Sequence, residues 1–275
     1  MYSLLRYEVP DEICVHDDML LAKLLRQDRA IVVVGAAAIA LLGWAYLFYQ
    51  GWAMQHMDLV AMAMPSTVAW GLMDLLVVFV MWVLMMVAMM VPSATPMLLT
   101  FATVARSRRA QGRAFVPVWV FLGGYLVLWT AFSLAATLAQ WGLHSLALIS
   151  PMMVGTNPVL GSVLLVAAGI YQWTPFKQAC LRHCRTPLQF LLTYWQDGTK
   201  GAFLIGLRHG AYCLGCCWLL MAVLFAVGVM NLAWIAALSV FVLLEKIISR
   251  GLWVAKVAGL VLMGFGSWMA LSAGT

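Results

Sequence analysis

The sequence predicts an all-α fold: a polytopic transmembrane helix bundle of about seven spans, N-terminus inside and C-terminus outside. Three observations carry that reading. The chain is 65% hydrophobic and only 9% charged over 275 residues, whereas a soluble domain averages about 45–50% apolar and about 25% charged. Apolar stretches recur along the whole length, and the mean hydropathy is +0.96. All 16 Lys and Arg fall into four groups that alternate with uncharged connections.

A helix needs about 20 mostly apolar residues to cross a bilayer. Residues 30–50 meet this first. The preceding residues 1–29 carry Glu8, Asp11, Glu12, Asp17 and Asp18 beside Lys23, Arg26 and Arg29. They have neither the short apolar core nor the small-residue cleavage site of a signal peptide, so they read as a cytoplasmic segment before a single helical domain, 30–271. The second span is 67–91, where Pro92 and Pro96 are expected to end or kink the helix. Residues 115–139, 158–176, 202–228, 231–248 and 252–271 complete the set. The link Val229–Leu232 is so short that spans five and six form either an antiparallel hairpin or one broken element.

The basic groups lie in 1–29, in 101–114, in 177–208 (Lys177, Arg182, Arg185, Lys200, Arg208) and at Lys246, Arg250 and Lys256. Seven crossings put all four on one face, so the net charge of +6 reads as topology. No soluble basic domain exists to bind nucleic acid. P-loop, nucleophile-elbow and HExxH motifs are absent, which points away from an enzyme without excluding one. The lipid bilayer is the expected environment, and a bacterial inner membrane the expected location.

Chemistry gathers in residues 206–221, GLRHGAYCLGCCWLLM. With His209 at zero and about 100° per residue, Cys213, Cys216 and Cys217 fall within an arc of about 100°. In YQWTPFKQACLRHCRTP, at the end of span four, Cys180 and Cys184 are spaced i, i+4 with His183 between them. The layout puts these thiols, with Cys14, in the cytoplasmic half, where they stay reduced. Thiolate and imidazole suit Cu(I) and Zn(II). Candidate ligands are therefore Cys180, Cys184, His209, Cys213, Cys216 and Cys217, with copper first and zinc second. Against this, Cys is a small hydrophobe that often merely packs. Glu245 reads either as an interfacial ion pair with its neighbour Lys246 or as a carboxylate backing the thiols.

Span two is rich in methionine. Met81, Met85 and Met89 lie within about 80° of one another, and Asp74 falls on the same stripe. The connection before it reads WAMQHMDLVAMAMP and offers Met54, His56 and Met57. Methionine usually fills gaps; the alternative is a path for a soft metal from an outer Met/His mouth, along Met81, Met85 and Met89, to the thiols.

Three stretches, MMVAMMVPSATPM (85–97), YQWTPFKQACLRHCRTP (171–187) and 206–246 with its HGxxCxGCCW core, resemble the DUF2182 family of predicted metal-binding integral membrane proteins. The resemblance covers roughly 67–271 and implies a metal-binding membrane protein.

The leading expectation is a carrier, chaperone or delivery factor for a soft metal, with a metallochaperone or membrane complex as partner. A membrane thiol–disulfide protein exchanging Cys213/Cys216 with Cys180/Cys184 stays open. So does a cofactor-binding or structural subunit of a membrane complex, for which His209 is the one histidine well inside a span.

Overall fold

The computed structural model describes residues 11–55, 70–113, 116–146, 158–248 and 251–273, of which 11–28, 54, 55 and 273 are described as backbone only. The described elements are helical: α1 (Asp11–Gln55), α2 (Leu72–Ala110), α3 (Val118–Ser145), α4 (Pro158–Tyr171), α5 (Pro175–Arg185), α6 (Pro187–Tyr194), α7 (Gly198–Ala222), the single turn α8 (Leu224–Val227), α9 (Leu232–Ile247) and α10 (Gly251–Ala273). Among the described residues, five helical stretches are long and apolar enough to cross a membrane: 29–53 of α1, α2, α3, α7 with α8, and α10. The bent pair α4 and α5 is either a sixth, broken span or a re-entrant loop. The expected sixth span is α9, whose 16 residues reach about 24 Å at 1.5 Å per residue, short of the roughly 30 Å hydrocarbon layer. The outer faces fit lipid: on α10, Trp253, Val261, Trp268 and Leu271 are all exposed.

Two expectations about helix ends are corrected. Helix α2 does not stop at residue 91; it runs through Pro92 and Pro96 to Ala110. Each proline removes one backbone donor, the one that would reach the Ala88 or Pro92 carbonyl, a loss that neighbouring helices packed around a span make tolerable. The hydroxyls of the same stretch bond other carbonyls: Ser93 Oγ to Met90 O at 2.9 Å, Thr95 Oγ1 to Val91 O at 3.2 Å and Thr100 Oγ1 to Pro96 O at 2.8 Å. Span four, in turn, ends at Tyr171 rather than 176, and the chain turns 64° into α5. Thr174 caps α5 through the Lys177 amide at 3.3 Å, with Pro175 in the first turn, where its missing N–H costs nothing.

The link after α8 resolves as a hairpin. Gly228 takes φ 101°, a value that glycine adopts without strain, and α9 then returns alongside the bundle. Lys246, near the end of α9, meets Cys213 on α7 at 3.1 Å, which one continued element could not achieve.

The core lies among α2, α3, α7 and α9. Glycines bring α3 and α7 together: a Cβ at Gly206 would collide with the Phe121 carbonyl, and one at Gly124 with that of Phe203. At one end of the bundle, Asp197 pairs with Arg108 at 3.1 Å and Arg113 at 3.9 Å, and Arg185 Nη2 donates to Ile248 O at 2.7 Å. Arg108 and Arg113 come from the second basic group and Arg185 from the third.

Candidate functional site

The site is built on the inner face of α7, where the four-residue rise of the helix aligns His209, Cys213 and Cys217. All three are buried, as is Cys216. The thiols of Cys216 and Cys217 each donate to the Cys213 carbonyl at 3.0 Å, a back-bond that short polar side chains make within helices. Helix α5, turned inward by the bend, presents Cys180 and Cys184 against this face, both under 9% exposed. Cys184 neighbours Cys213 and Cys216. Cys180 packs instead on Gly215, where a Cβ would sit 2.8 Å from its sulfur. All five described cysteines are free thiols.

Cys213 is the hub. Its sulfur receives Lys246 Nζ at 3.1 Å and exchanges a hydrogen bond with the Tyr125 hydroxyl, also at 3.1 Å. Lys246 Nζ also donates to Ser93 Oγ at 2.8 Å, and Tyr125 OH to Met90 O at 3.3 Å. Helices α3, α7 and α9 therefore converge on one sulfur atom, and α2 holds the two partners of that sulfur, Tyr125 and Lys246. Cys213 stands near the midpoint of the 30-residue span 198–227, rather than toward the end of the helix.

His209 lies one turn away. Its ring is 2% exposed, stacked on Tyr125 at 5.6 Å and 26° and edge-on to Phe190 at 5.5 Å. Its Nδ1 is buried without a hydrogen-bond partner. Orphaned buried polar atoms are rare in native folds, so this nitrogen is a donor or acceptor in waiting. The six sequence candidates thus share one corner, but not one point. Among the described residues no group of three or more His, Cys, Asp or Glu closes on a single ion. Cys184, Cys213, Cys216 and Cys217 are contiguous, while Cys180 and His209 flank them.

Other expectations change. Glu245 does not pair with Lys246 at an interface. It is 1% exposed, and its carboxylate accepts from Lys177 Nζ at 2.8 and 3.1 Å. Neighbours in sequence on a helix point about 100° apart, so Glu245 faces α5 while Lys246 faces α7. Lys177 and Lys246 are consequently not loop charges that mark topology; both are enclosed. Asp74 is not a costly acid on a buried stripe. It is half-exposed at the start of α2, where Oδ2 accepts from the Gly71 amide at 2.9 Å, the favoured place for a carboxylate at a helix N-terminus. Met81, Met85 and Met89 are buried in the core, Met85 and Met89 completely. Met54 falls in the last turn of α1, with no side chain described; His56 and Met57 lie outside the described residues. The same is true of the Cys14 side chain.

Sequence reasoning missed Tyr125, Ser93, Lys177 and Lys246. The two lysines carried a signal, since an ionisable residue beside or inside an apolar run is functional by default. Tyr125 and Ser93 carried none.

Fold and site together define a class: an apolar multi-helix bundle, of the kind that spans membranes, enclosing soft thiol and imidazole donors with a fixed cation among them. The family described as PpoB2, copper chaperone, matches residues 79–269. The chain belongs to that family, and its role is copper-related; nothing here favours zinc. The match takes in every described thiol, His209, Glu245 and Lys246, and leaves Met54, His56, Met57 and Asp74 outside. No curated protein and no solved structure matches the chain.

Proposed function

We propose that this protein is an integral membrane copper handler that takes up Cu(I) on the thiols of α5 and α7 and passes it to a partner. The observation that carries the reading is the contiguity of Cys184, Cys213, Cys216 and Cys217 from two elements, buried beside the orphaned nitrogen of His209. Thiolates are soft donors that select Cu(I), which takes about two to four of them. The donors present fit that chemistry, and copper is the cargo rather than a resident cofactor. Cys213 with Cys184 forms the primary pair, and Cys180, Cys216, Cys217 and His209 serve as stations for ligand exchange.

The route runs from an outer Met/His mouth (Met54, His56, Met57) down Met81, Met85 and Met89 of α2. The Met90 carbonyl, next to Met89, accepts from Tyr125, and Ser93, one turn beyond Met89, accepts from Lys246; both are partners of Cys213, which supports a path that ends at the thiols. In this reading α9 is a seventh, shorter crossing in a bacterial inner membrane, with the N-terminus inside and the C-terminus outside. A soluble metallochaperone or a membrane enzyme complex receives the copper.

The test is elemental analysis of full-length protein, purified in detergent under reducing conditions and loaded with Cu(I), as wild type and as a Cys213/Cys216/Cys217→Ser variant. Near-stoichiometric copper in the wild type and its loss in the variant are expected. A wild type that stays free of copper would overturn the reading and leave thiol–disulfide exchange between α5 and α7 as its successor.

A further inference from the structure

We infer that Lys246 is the specificity determinant of this corner, the fixed positive charge that favours a monovalent ion held by two thiolates over a divalent one; the inference rests on the copper-binding reading above. Lys246 is 8% exposed, and its ammonium is held by Ser93 Oγ at 2.8 Å and Cys213 Sγ at 3.1 Å. Its sequence neighbour Glu245 is committed to Lys177 at 2.8 Å. That pair sums to zero, with Arg185, which donates to the Ile248 carbonyl, and Lys246 as further cations near the carboxylate. Facing Lys246 from the other packed elements are the Tyr125 hydroxyl and the thiols of Cys184 and Cys216. Among the described residues no carboxylate lies within ion-pairing distance of its ammonium.

A buried cation needs a counter-charge nearby, and the Cys213 sulfur at 3.1 Å is the group placed to carry it. The corner is therefore built to receive one unit of negative charge. Cu(I) binding supplies it. Two thiols release their protons to solvent, two S–Cu bonds form, copper remains Cu(I), and the bis-thiolate complex carries a single negative charge. With the Lys246 ammonium beside it, the corner sums to zero. A divalent ion on the same two thiolates is already neutral and leaves the ammonium uncompensated. It would need a third thiolate, and no three donors converge among the described residues, with Cys216 and Cys217 turned to the Cys213 carbonyl. Charge thus discriminates where thiol chemistry alone would accept either ion.

The experiment is competition titration of the full-length protein in detergent, anaerobic and reduced, with Cu(I) and separately with Zn(II), against chromophoric chelators. Wild type, Lys246→Gln and Lys246→Arg are compared. Glutamine keeps a donor for Ser93 and removes the charge without adding a sulfur ligand; arginine keeps the charge. Lys246→Gln is expected to lower the preference for Cu(I) over Zn(II) by about tenfold or more, each tenfold being about 1.4 kcal/mol, while Lys246→Arg keeps it within about threefold. An unchanged preference in Lys246→Gln, with Cu(I) still bound, overturns the inference and leaves the copper reading intact. A wild type that binds no Cu(I) overturns both. If Lys246→Gln does not fold, Ser93→Ala decides, because it loosens the ammonium while leaving every sulfur in place: a reduced preference supports the inference and an unaltered one contradicts it.

Discussion

Two helix pairs in this bundle are packed by the same device and do different things. Helices α3 and α7 touch through Gly124 and Gly206, each pressed against the backbone of the other helix. Helices α4 and α10 touch through Gly169, whose added Cβ would sit 2.6 Å from the Gly259 carbonyl, and Gly266, which lies against Leu165 and Ser162. Small residues allow such close approach in membranes. Yet α3 and α7 enclose Tyr125, His209 and Cys213, while the buried residues between α4 and α10 are chiefly apolar, among them Leu165 and Ala168. The glycine contact sets a distance, and chemistry arises only where it brings polar groups from a third and fourth helix into the same space. Here those are Ser93 of α2 and Lys246 of α9.

The largest way to break the contrast is to unbalance the ions behind the thiols. Glu245→Gln leaves Lys177 charged, enclosed and without its carboxylate, and should cost about 3–5 kcal/mol of stability by the usual penalty for half a buried pair. A Lys177→Met/Glu245→Leu double variant should be at least as stable as Glu245→Gln and should still bind copper, because neither residue touches Cys213. Thermal melting in detergent with copper analysis reads both; a silent Glu245→Gln contradicts the buried pair.

The glycine comparison itself is sharpened by matched substitutions. Gly206→Ala and Gly169→Ala should each cost about 1–3 kcal/mol through overpacking. Copper stoichiometry should fall only in Gly206→Ala, which moves Tyr125 away from Cys213. Equal copper loss in both would mean that the two pairs are not functionally distinct.

Smaller still are the methionines. Replacing Met81, Met85 and Met89 by leucine conserves volume and should cost under about 1.5 kcal/mol each, with static copper stoichiometry unchanged. Cellular copper delivery should slow. Delivery at the wild-type rate would remove α2 from the path.

The smallest effect concerns the basic end. The Trp195 indole, bonded to Asp197 at 2.8 Å, and behind it Arg108 and Arg113, hold that carboxyl below its ordinary value. A depressed carboxyl adds stability above its unfolded pKa and loses it as pH falls through the folded one. Wild type should therefore lose a little stability as pH drops below about 4, a loss that Asp197→Asn should lack, with copper binding the same in both.

Much of this was readable along the chain. Hydropathy located the helices, and the i, i+4 spacing of His209, Cys213 and Cys217 gave the face of α7, because both depend on local periodicity. The break before α5 was missed, since span four was expected to run on to 176, although the Thr174–Pro175 pair that caps α5 is a local signal. The passage of α2 through Pro92 and Pro96 was not readable, since it depends on the helices packed around that stretch, whose residues 88–91 are fully buried. Nor were the partners of Cys213: Lys246 is 33 residues away and Tyr125 is 88, and only the folded bundle brings them to one sulfur. Glu245 and Lys246 show the limit most plainly, adjacent in sequence and committed to different helices.

The central claim, that copper sits on sulfur at Cys213, is tested most directly by X-ray absorption at the copper edge on full-length, Cu(I)-loaded protein. The account predicts a first shell dominated by sulfur, with sulfur lost or replaced by lighter scatterers in Cys213→Ser. A first shell of nitrogen and oxygen alone, or a spectrum unchanged by that substitution, would contradict it.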